Sequence, residues 1–267
     1  MHDLLKAVVL GIVEGFTEFL PISSTGHLIL VNHWIAFDEQ FTKMFDIVIQ
    51  LGAILSVIVY FRARLFPFAK GMAVAARRQI LDLWLKTFVG IIPMLVVGAF
   101  FKDQIQIYLF NPITVAIALV VGGALLLMIE KRRKNSKIDS LAALSFRTAF
   151  LIGLFQCLAM VPGTSRSAAT IIGAMLLGAS RVVATEFSFF LAIPTMALVS
   201  GYSLLKVGFG LNARELLILG TGFVTAFFVA WLVIVGFLSF VSKRDLKPFA
   251  YYRMVLGVLI MLYFGVA

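Results

Sequence analysis

The chain has 267 residues, 61% of them hydrophobic and only 13% charged, with a mean hydropathy of +1.04. A soluble domain carries roughly 25% charged residues, so the composition excludes a soluble protein and predicts an integral membrane protein. The net charge of +10 would suit a nucleic-acid binder, but the basic residues cluster between apolar runs, the pattern of membrane topology, and this argues against nucleic acid as a partner.

In chain order, the first apolar segments are 4–17 and 25–36. Both are too short to cross a ~30 Å hydrocarbon core comfortably, and a turn containing proline and serines joins them. Lys6 precedes only about seven apolar residues before Glu14 and no small-residue cleavage site follows, so the segment is expected to be retained rather than cleaved as a signal. Full-length apolar runs follow at 44–61, 83–101 and 112–129, then the charged linker K-R-R-K-N-S-K, Lys131 to Lys137. The order then recurs: short segments 148–161 and 167–179 around a second turn, and long runs at 186–205, 215–238 and 249–266. The runs are continuous rather than alternating, which predicts helices and not barrel strands. A lone cysteine, Cys157, excludes an intrachain disulfide.

The recurrence extends to residues. Gly11 matches Gly153, Glu14 matches Gln156 and, after one deletion, Pro21 matches Pro162 and Ser24 matches Ser165; N-P-I at Asn111 matches K-P-F at Lys247. We therefore expect one all-α membrane domain, 1–267, built from two repeats, 1–130 and 145–267. Each repeat would hold a re-entrant helical hairpin and three transmembrane helices, ten helices in all. Three spans is an odd number, so the second repeat enters inverted. Paired broken helices in two halves point to a site near the midplane. In this topology sixteen Lys and Arg lie on one side, in segments 62–86, 131–147, 180–182 and 240–248. Only Lys6, Lys43, Lys102, Lys206 and Arg214 lie on the other. The excess marks the cytoplasmic side, so both termini and the mouth of the first hairpin are expected to face outward.

Two polar islands interrupt the short segments: E-G-F-T-E-F-L-P-I-S-S-T-G-H, Glu14 to His27, and P-G-T-S-R-S-A-A-T, Pro162 to Thr170. An ionisable group near a bilayer centre costs at least about 2.5–3.5 kcal/mol, so such residues are functional candidates. Glu14 and Glu18, at i and i+4, share a helix face and repel unless a divalent cation, a cationic substrate or a shared proton resolves the conflict. Hard oxygen ligands favour Mg²⁺ or Ca²⁺; the alternative is a packing pair bonded to nearby hydroxyls. Ser23, Ser24 and Thr25 stand where a helix starts, either as ordinary caps or as anion ligands with the free backbone N–H groups. His27 lies one turn beyond Ser24, as a site residue or an interfacial histidine. Arg166, between Ser165 and Ser167 and ahead of Thr170, suits bidentate phosphate binding, or snorkels to the cytoplasmic face. Asp46 and Gln50 line the cavity or bond a neighbouring helix. Glu186 and Arg253 read as snorkelling or paired residues near span ends. If the two tips meet, their inventory fits phosphoryl chemistry.

At these two motifs, and along the whole chain through F-D-I-V-I-Q-L-G-A-I at Phe45 and E-F-S-F-F-L-A-I-P at Glu186, the sequence resembles the bacitracin-resistance family of undecaprenyl-diphosphate phosphatases. The resemblance implies hydrolysis of undecaprenyl diphosphate to undecaprenyl phosphate in the bacterial cytoplasmic membrane, recycling the lipid carrier of cell-wall synthesis. It implies that Glu14 and Glu18 serve metal and catalysis, that His27 is essential, and that Ser24 is a phosphate contact or nucleophile. Ser165, Arg166, Ser167 and Thr170 would complete the diphosphate site. Membrane lipids and a possible homodimer are the further partners expected. Type-2 phosphatidic acid phosphatases share short stretches of these motifs but need a second histidine about six residues beyond the arginine; position 172 is Ile and no histidine follows His33, so that mechanism is excluded in its usual form. A secondary transporter or flippase for a phosphorylated lipid, and a non-catalytic binder of lipid diphosphates, are the readings of other classes.

Overall fold

The computed structural model describes residues 2–69, 71–132, 136–207 and 211–265. They form α1 (His2–Thr17), α2 (Ser24–Ile35), α3 (Glu39–Tyr60), α4 (Arg62–Leu65), α5 (Val74–Leu109), α6 (Pro112–Arg132), α7 (Phe146–Cys157), α8 (Arg166–Leu176), α9 (Arg181–Val207), α10 (Ala213–Lys243) and α11 (Lys247–Gly265). A 3₁₀ turn at Leu158–Met160 extends α7. The described residues contain no strand beyond a single bridge between Ile138 and Ala179. Lys70 and the linker residues 133–135 lie outside the described residues; of these Lys70, Arg133 and Lys134 are counted above in the charge bias.

Polar caps set the helix starts. Asp38 accepts from the Phe41 N–H at 3.1 Å, Ser145 from Thr148 at 3.0 Å, and Asn212 forms a capping box with Glu215. The chain is a multi-pass membrane protein: α3, α5, α6, α9 and α10 are long and apolar enough to cross a bilayer. The sixth expected span, α11, opens with Lys247 and carries Tyr251, Tyr252 and Arg253 before its continuous apolar stretch begins. Helix α5 starts at Val74, so Arg77 and Arg78, expected in a loop, stand on its first turn, and Lys86 lies further along the same helix.

Small residues let helices approach closely. A Cβ on Gly11 would stand 2.7 Å from the Gly222 carbonyl oxygen, and one on Gly15 2.6 Å from that of Ala226, so α1 lies backbone against backbone on α10. Gly153 of α7 meets Gly90 of α5 in the same way.

Ion pairs separate the two ends of the bundle. At one end Asp3 pairs with Arg214 at 2.5 Å and Lys6 Nζ donates to the Ala36 carbonyl at 2.9 Å, joining the mouth of the α1–α2 hairpin to the start of α10. At the other, Arg64 grips Glu186 with two bonds, Arg181 grips Glu130, and Lys86 reaches the Ala142 carbonyl just ahead of α7. The α1–α2 and α7–α8 hairpins therefore enter from opposite ends, and their tips meet inside.

Candidate active site

Each tip turns on a serine with a left-handed backbone. Ser23 (φ 72°) caps α2 by accepting from the Gly26 N–H, and Ser165 (φ 71°) caps α8 by accepting from Ala168. They are the only non-glycine residues with positive φ among the described residues. Such a conformation costs about 1–3 kcal/mol and persists only where the surroundings over-determine it, a condition met at functional sites. The alignment of Ser24 with Ser165 is thus shifted by one: the corresponding caps are Ser23 and Ser165, and Ser24 corresponds to Arg166.

Across the tips, Arg166 Nη2 donates to Glu18 Oε1 at 2.9 Å, with the side chains only 10% and 6% exposed. Glu18 Oε2 accepts the Ser24 hydroxyl at 2.6 Å. Arg166 Nη1 donates to the Ser188 carbonyl at 2.8 Å, while its Nε is buried with no partner. Ser165 Oγ and Ser167 Oγ lie 2.9 Å apart, and Ser167 also donates to the Leu20 carbonyl of the first tip at 2.8 Å. Thr170 is fully buried and bonds the Ser188 hydroxyl at 2.7 Å, behind Arg166. Arg166 therefore does not snorkel; it bridges the tips. Thr25 is half-buried in the first turn of α2, and Gln50, part-buried on α3, stands outside this network.

Glu14 and Glu18 are not equivalent. Both oxygens of Glu18 are engaged, whereas Glu14 is fully buried with neither oxygen partnered. Its electrostatic neighbours are Glu18, Asp46 and Arg166. Asp46 Oδ2 accepts from Asn32 Nδ2 at 2.9 Å, and Asp46 Oδ1 has no partner. Hard, unpartnered carboxylate oxygens fit a divalent cation at Glu14. Glu18 fits the same role only by releasing Arg166 or Ser24. No three residues among His, Cys, Asp and Glu lie together as a metal cluster among the described residues.

His27 is held at both nitrogens: Nδ1 is 2.7 Å from the Ser23 carbonyl oxygen and Nε2 2.7 Å from Tyr252 Oη. Arg253, expected to snorkel or pair near a span end, is instead fully buried. Its guanidinium donates to the Pro21 carbonyl of the first tip (3.2 Å), to the Gly163 (3.3 Å) and Thr164 (2.9 Å) carbonyls of the second, and to Ala118 of α6 (3.3 Å). A lone arginine in the first turns of a helix gives no sequence signal for this role. Glu186 does pair, with Arg64 at 2.6 Å.

Comparison with known proteins bears on this geometry. The family model described as "Bacitracin resistance protein BacA" matches residues 7–259. The chain is 50% identical to "Undecaprenyl-diphosphatase 1" of Clostridioides difficile (strain 630) over 98% of this chain and 96% of that protein. It is 46% identical to "Undecaprenyl-diphosphatase" of Enterococcus faecalis, over 97% and 96%. A third relative of that name, from Acetivibrio thermocellus, is 45% identical over 99% and 98%.

Proposed function

The chain belongs to the bacitracin resistance protein BacA family, and from that premise we infer that it is a membrane phosphatase that hydrolyses undecaprenyl diphosphate to undecaprenyl phosphate and inorganic phosphate. The observation that carries the reading is the buried chain Ser24–Glu18–Arg166, in which two hairpin tips assemble a hydroxyl, a carboxylate and a guanidinium. A hydroxyl bonded to a carboxylate that is oriented by a third group is an activated nucleophile. Ser24 Oγ attacks the terminal phosphorus, Glu18 takes its proton, and the anhydride bond to the lipid-bearing phosphate breaks. Water then releases phosphate from the serine. Arg166, through its unpartnered Nε and the edge now on Glu18, the α2 and α8 N-termini, and the Ser165 and Ser167 hydroxyls hold the phosphoryl oxygens. Ser23 and Thr25 of the first tip contribute to the same cradle. Thr170 braces Arg166 from behind, and Gln50 lines the approach to the site.

A divalent cation, Mg²⁺ or Ca²⁺, held by Glu14 with Glu18 as second carboxylate, would supply Lewis-acid stabilisation of the phosphoryl oxygens. We assign the two hairpins to inverted repeats, 1–130 and 145–267, each with three spans, giving α11 the place of the sixth. The matched positive-φ serines support this assignment, as do the exchanged helix neighbours, α1 on α10 and α7 on α5. The charge bias supports a place in the bacterial cytoplasmic membrane with both termini and the first hairpin's mouth facing outward. A homodimer among membrane lipids completes the proposal.

One observation favours a second reading, transport of a phosphorylated lipid. A cavity of about 550 Å³, lined by Gly122, Met128, Lys137, Thr164, Ile172 and Gly178, reaches the second tip from the end opposite the first hairpin's mouth. Phosphate release from undecaprenyl diphosphate by purified protein in detergent decides between them, because transport needs two compartments and hydrolysis does not. Binding without release would overturn the phosphatase reading.

A further inference from the structure

The hydroxyl of Tyr252 faces the one histidine at the site. Tyr252 Oη and His27 Nε2 are 2.7 Å apart, and the two rings are parallel to within 1° at a centroid separation of 5.6 Å. Parallel planes that hold atoms 2.7 Å apart are too close for the rings to overlap face to face, so they are offset and meet at Nε2 and the phenol oxygen. The other nitrogen settles the proton count. Nδ1 lies 2.7 Å from the Ser23 carbonyl oxygen, which only accepts, so Nδ1 carries a hydrogen. In the neutral ring Nε2 is then the acceptor, and the phenol must donate.

From this geometry we propose that Tyr252 is a positioning residue for His27: its hydroxyl holds the ring in the Nδ1–H tautomer and relays every proton that His27 exchanges at Nε2. Nε2 has no other route to the substrate while this bond stands. When a proton reaches Oη, the phenol's own hydrogen passes to Nε2, and the tyrosine is unchanged. The reverse transfer returns it. Tyr252 is about half exposed, so its hydroxyl has a free side from which to receive or deliver that proton. The placement follows from its neighbour: Arg253 fastens α11 to both hairpin tips, and so fixes the phenol against the first turn of α2. The proposal rests on the phosphatase reading for its activity arm alone.

Tyr252→Phe keeps the ring and removes only the hydroxyl. Purified protein labelled with ¹⁵N at histidine contains His2, His27 and His33, and His27→Gln identifies the His27 signals. We expect His27 in the Nδ1–H tautomer in the unsubstituted protein and a displaced Nε2 resonance in Tyr252→Phe. An unmoved Nε2 resonance overturns the proposal whatever the enzyme's activity. In turnover, Tyr252→Phe should lower kcat by about tenfold or more with KM within about twofold, and should cost nothing further in a His27→Gln background. Additive losses in the double variant would mean that Tyr252 acts on the substrate directly, and would also overturn it. If undecaprenyl diphosphate is not hydrolysed at all, the phosphatase reading fails while the nitrogen resonances still decide the role of Tyr252.

Discussion

Glu18 and Arg166 are separated by 148 positions in the chain and meet at 2.9 Å where the two hairpin tips touch. Each is the other's main charge partner in a largely buried site, so changing either alters both the fold of the tips and the chemistry. Arg166→Lys keeps the charge but replaces a fork with a point, and the bonds to Glu18 and the Ser188 carbonyl are then not made together. Activity should fall at least about tenfold. Arg166→Met leaves Glu18 buried and unpaired and should destabilise by about 3–5 kcal/mol, whereas adding Glu18→Gln should restore stability without restoring activity. Thermal unfolding and turnover of the three variants check this; near-normal turnover by the lysine variant would place Arg166 outside the site.

Arg253 makes a second prediction. It ties carbonyls of both tips and of α6 to one guanidinium, and Arg253→Met leaves those acceptors buried and unpaired. We expect a loss of about 2 kcal/mol or more, a Tm lower by at least about 4 °C, and reduced activity although Arg253 is not assigned to the substrate. Arg253→Lys should recover little, because one ammonium cannot span both tips. A methionine variant with unchanged Tm and turnover would show that the tips hold together without it.

Much of this site was legible in the sequence because polar residues in a short apolar segment have no bland explanation. Glu14, Glu18, Ser24 and Arg166 stood out for that reason, and the structure brings Glu18, Ser24 and Arg166 into one network. The rest was hidden for physical reasons. Arg253 and Tyr252 lie at the start of a helix, where an arginine and tyrosines are ordinary interfacial residues. Their roles arise only from contacts distant in the chain: Tyr252 meets His27 225 positions away, and Arg253 meets carbonyls from 89 to 232 positions away. The i, i+4 spacing makes Glu14 and Glu18 look like equals. The Ser24 hydroxyl and the Arg166 guanidinium from the other tip distinguish the occupied carboxylate from the free one. The match of Ser24 with Ser165 was off by one because Ser23 and Ser24 have the same chemistry, and only the positive φ of Ser23 marks it as the cap.

The orientation can be tested without reference to activity. Asp38 and Asn212 cap α3 and α10 at the end where α1 begins, and Arg77 and Ser136 belong to the opposite end. With Cys157 replaced by Ala, cysteines at Asp38 and Asn212 should react with a membrane-impermeant thiol reagent added to intact cells. Cysteines at Arg77 and Ser136 should react only after the cells are opened. The reverse pattern would invert the assigned topology.

The last prediction separates the two glutamates. Glu14 has two buried, unpartnered oxygens and is the better metal ligand, whereas both oxygens of Glu18 are already in use. Glu14→Gln keeps the shape but lowers ligand charge, so it should raise the Mg²⁺ or Ca²⁺ concentration needed for half-maximal activity. It should also abolish any rise in Tm that the ion produces, since an ion that binds only the folded chain stabilises it in proportion to its affinity. Glu18→Gln removes the acceptor of the Ser24 hydroxyl and the partner of Arg166, so it should lower kcat with a smaller change in metal requirement. A chelator should abolish hydrolysis by the unsubstituted protein, and added ion should restore it. A packing role for Glu14 leads elsewhere: neutralising one of two buried like charges would then leave activity intact and raise stability, because a repulsion in a low-dielectric site is gone. A stable, fully active Glu14→Gln enzyme that ignores chelator would remove the metal from the mechanism and leave catalysis to Ser24, Glu18 and Arg166.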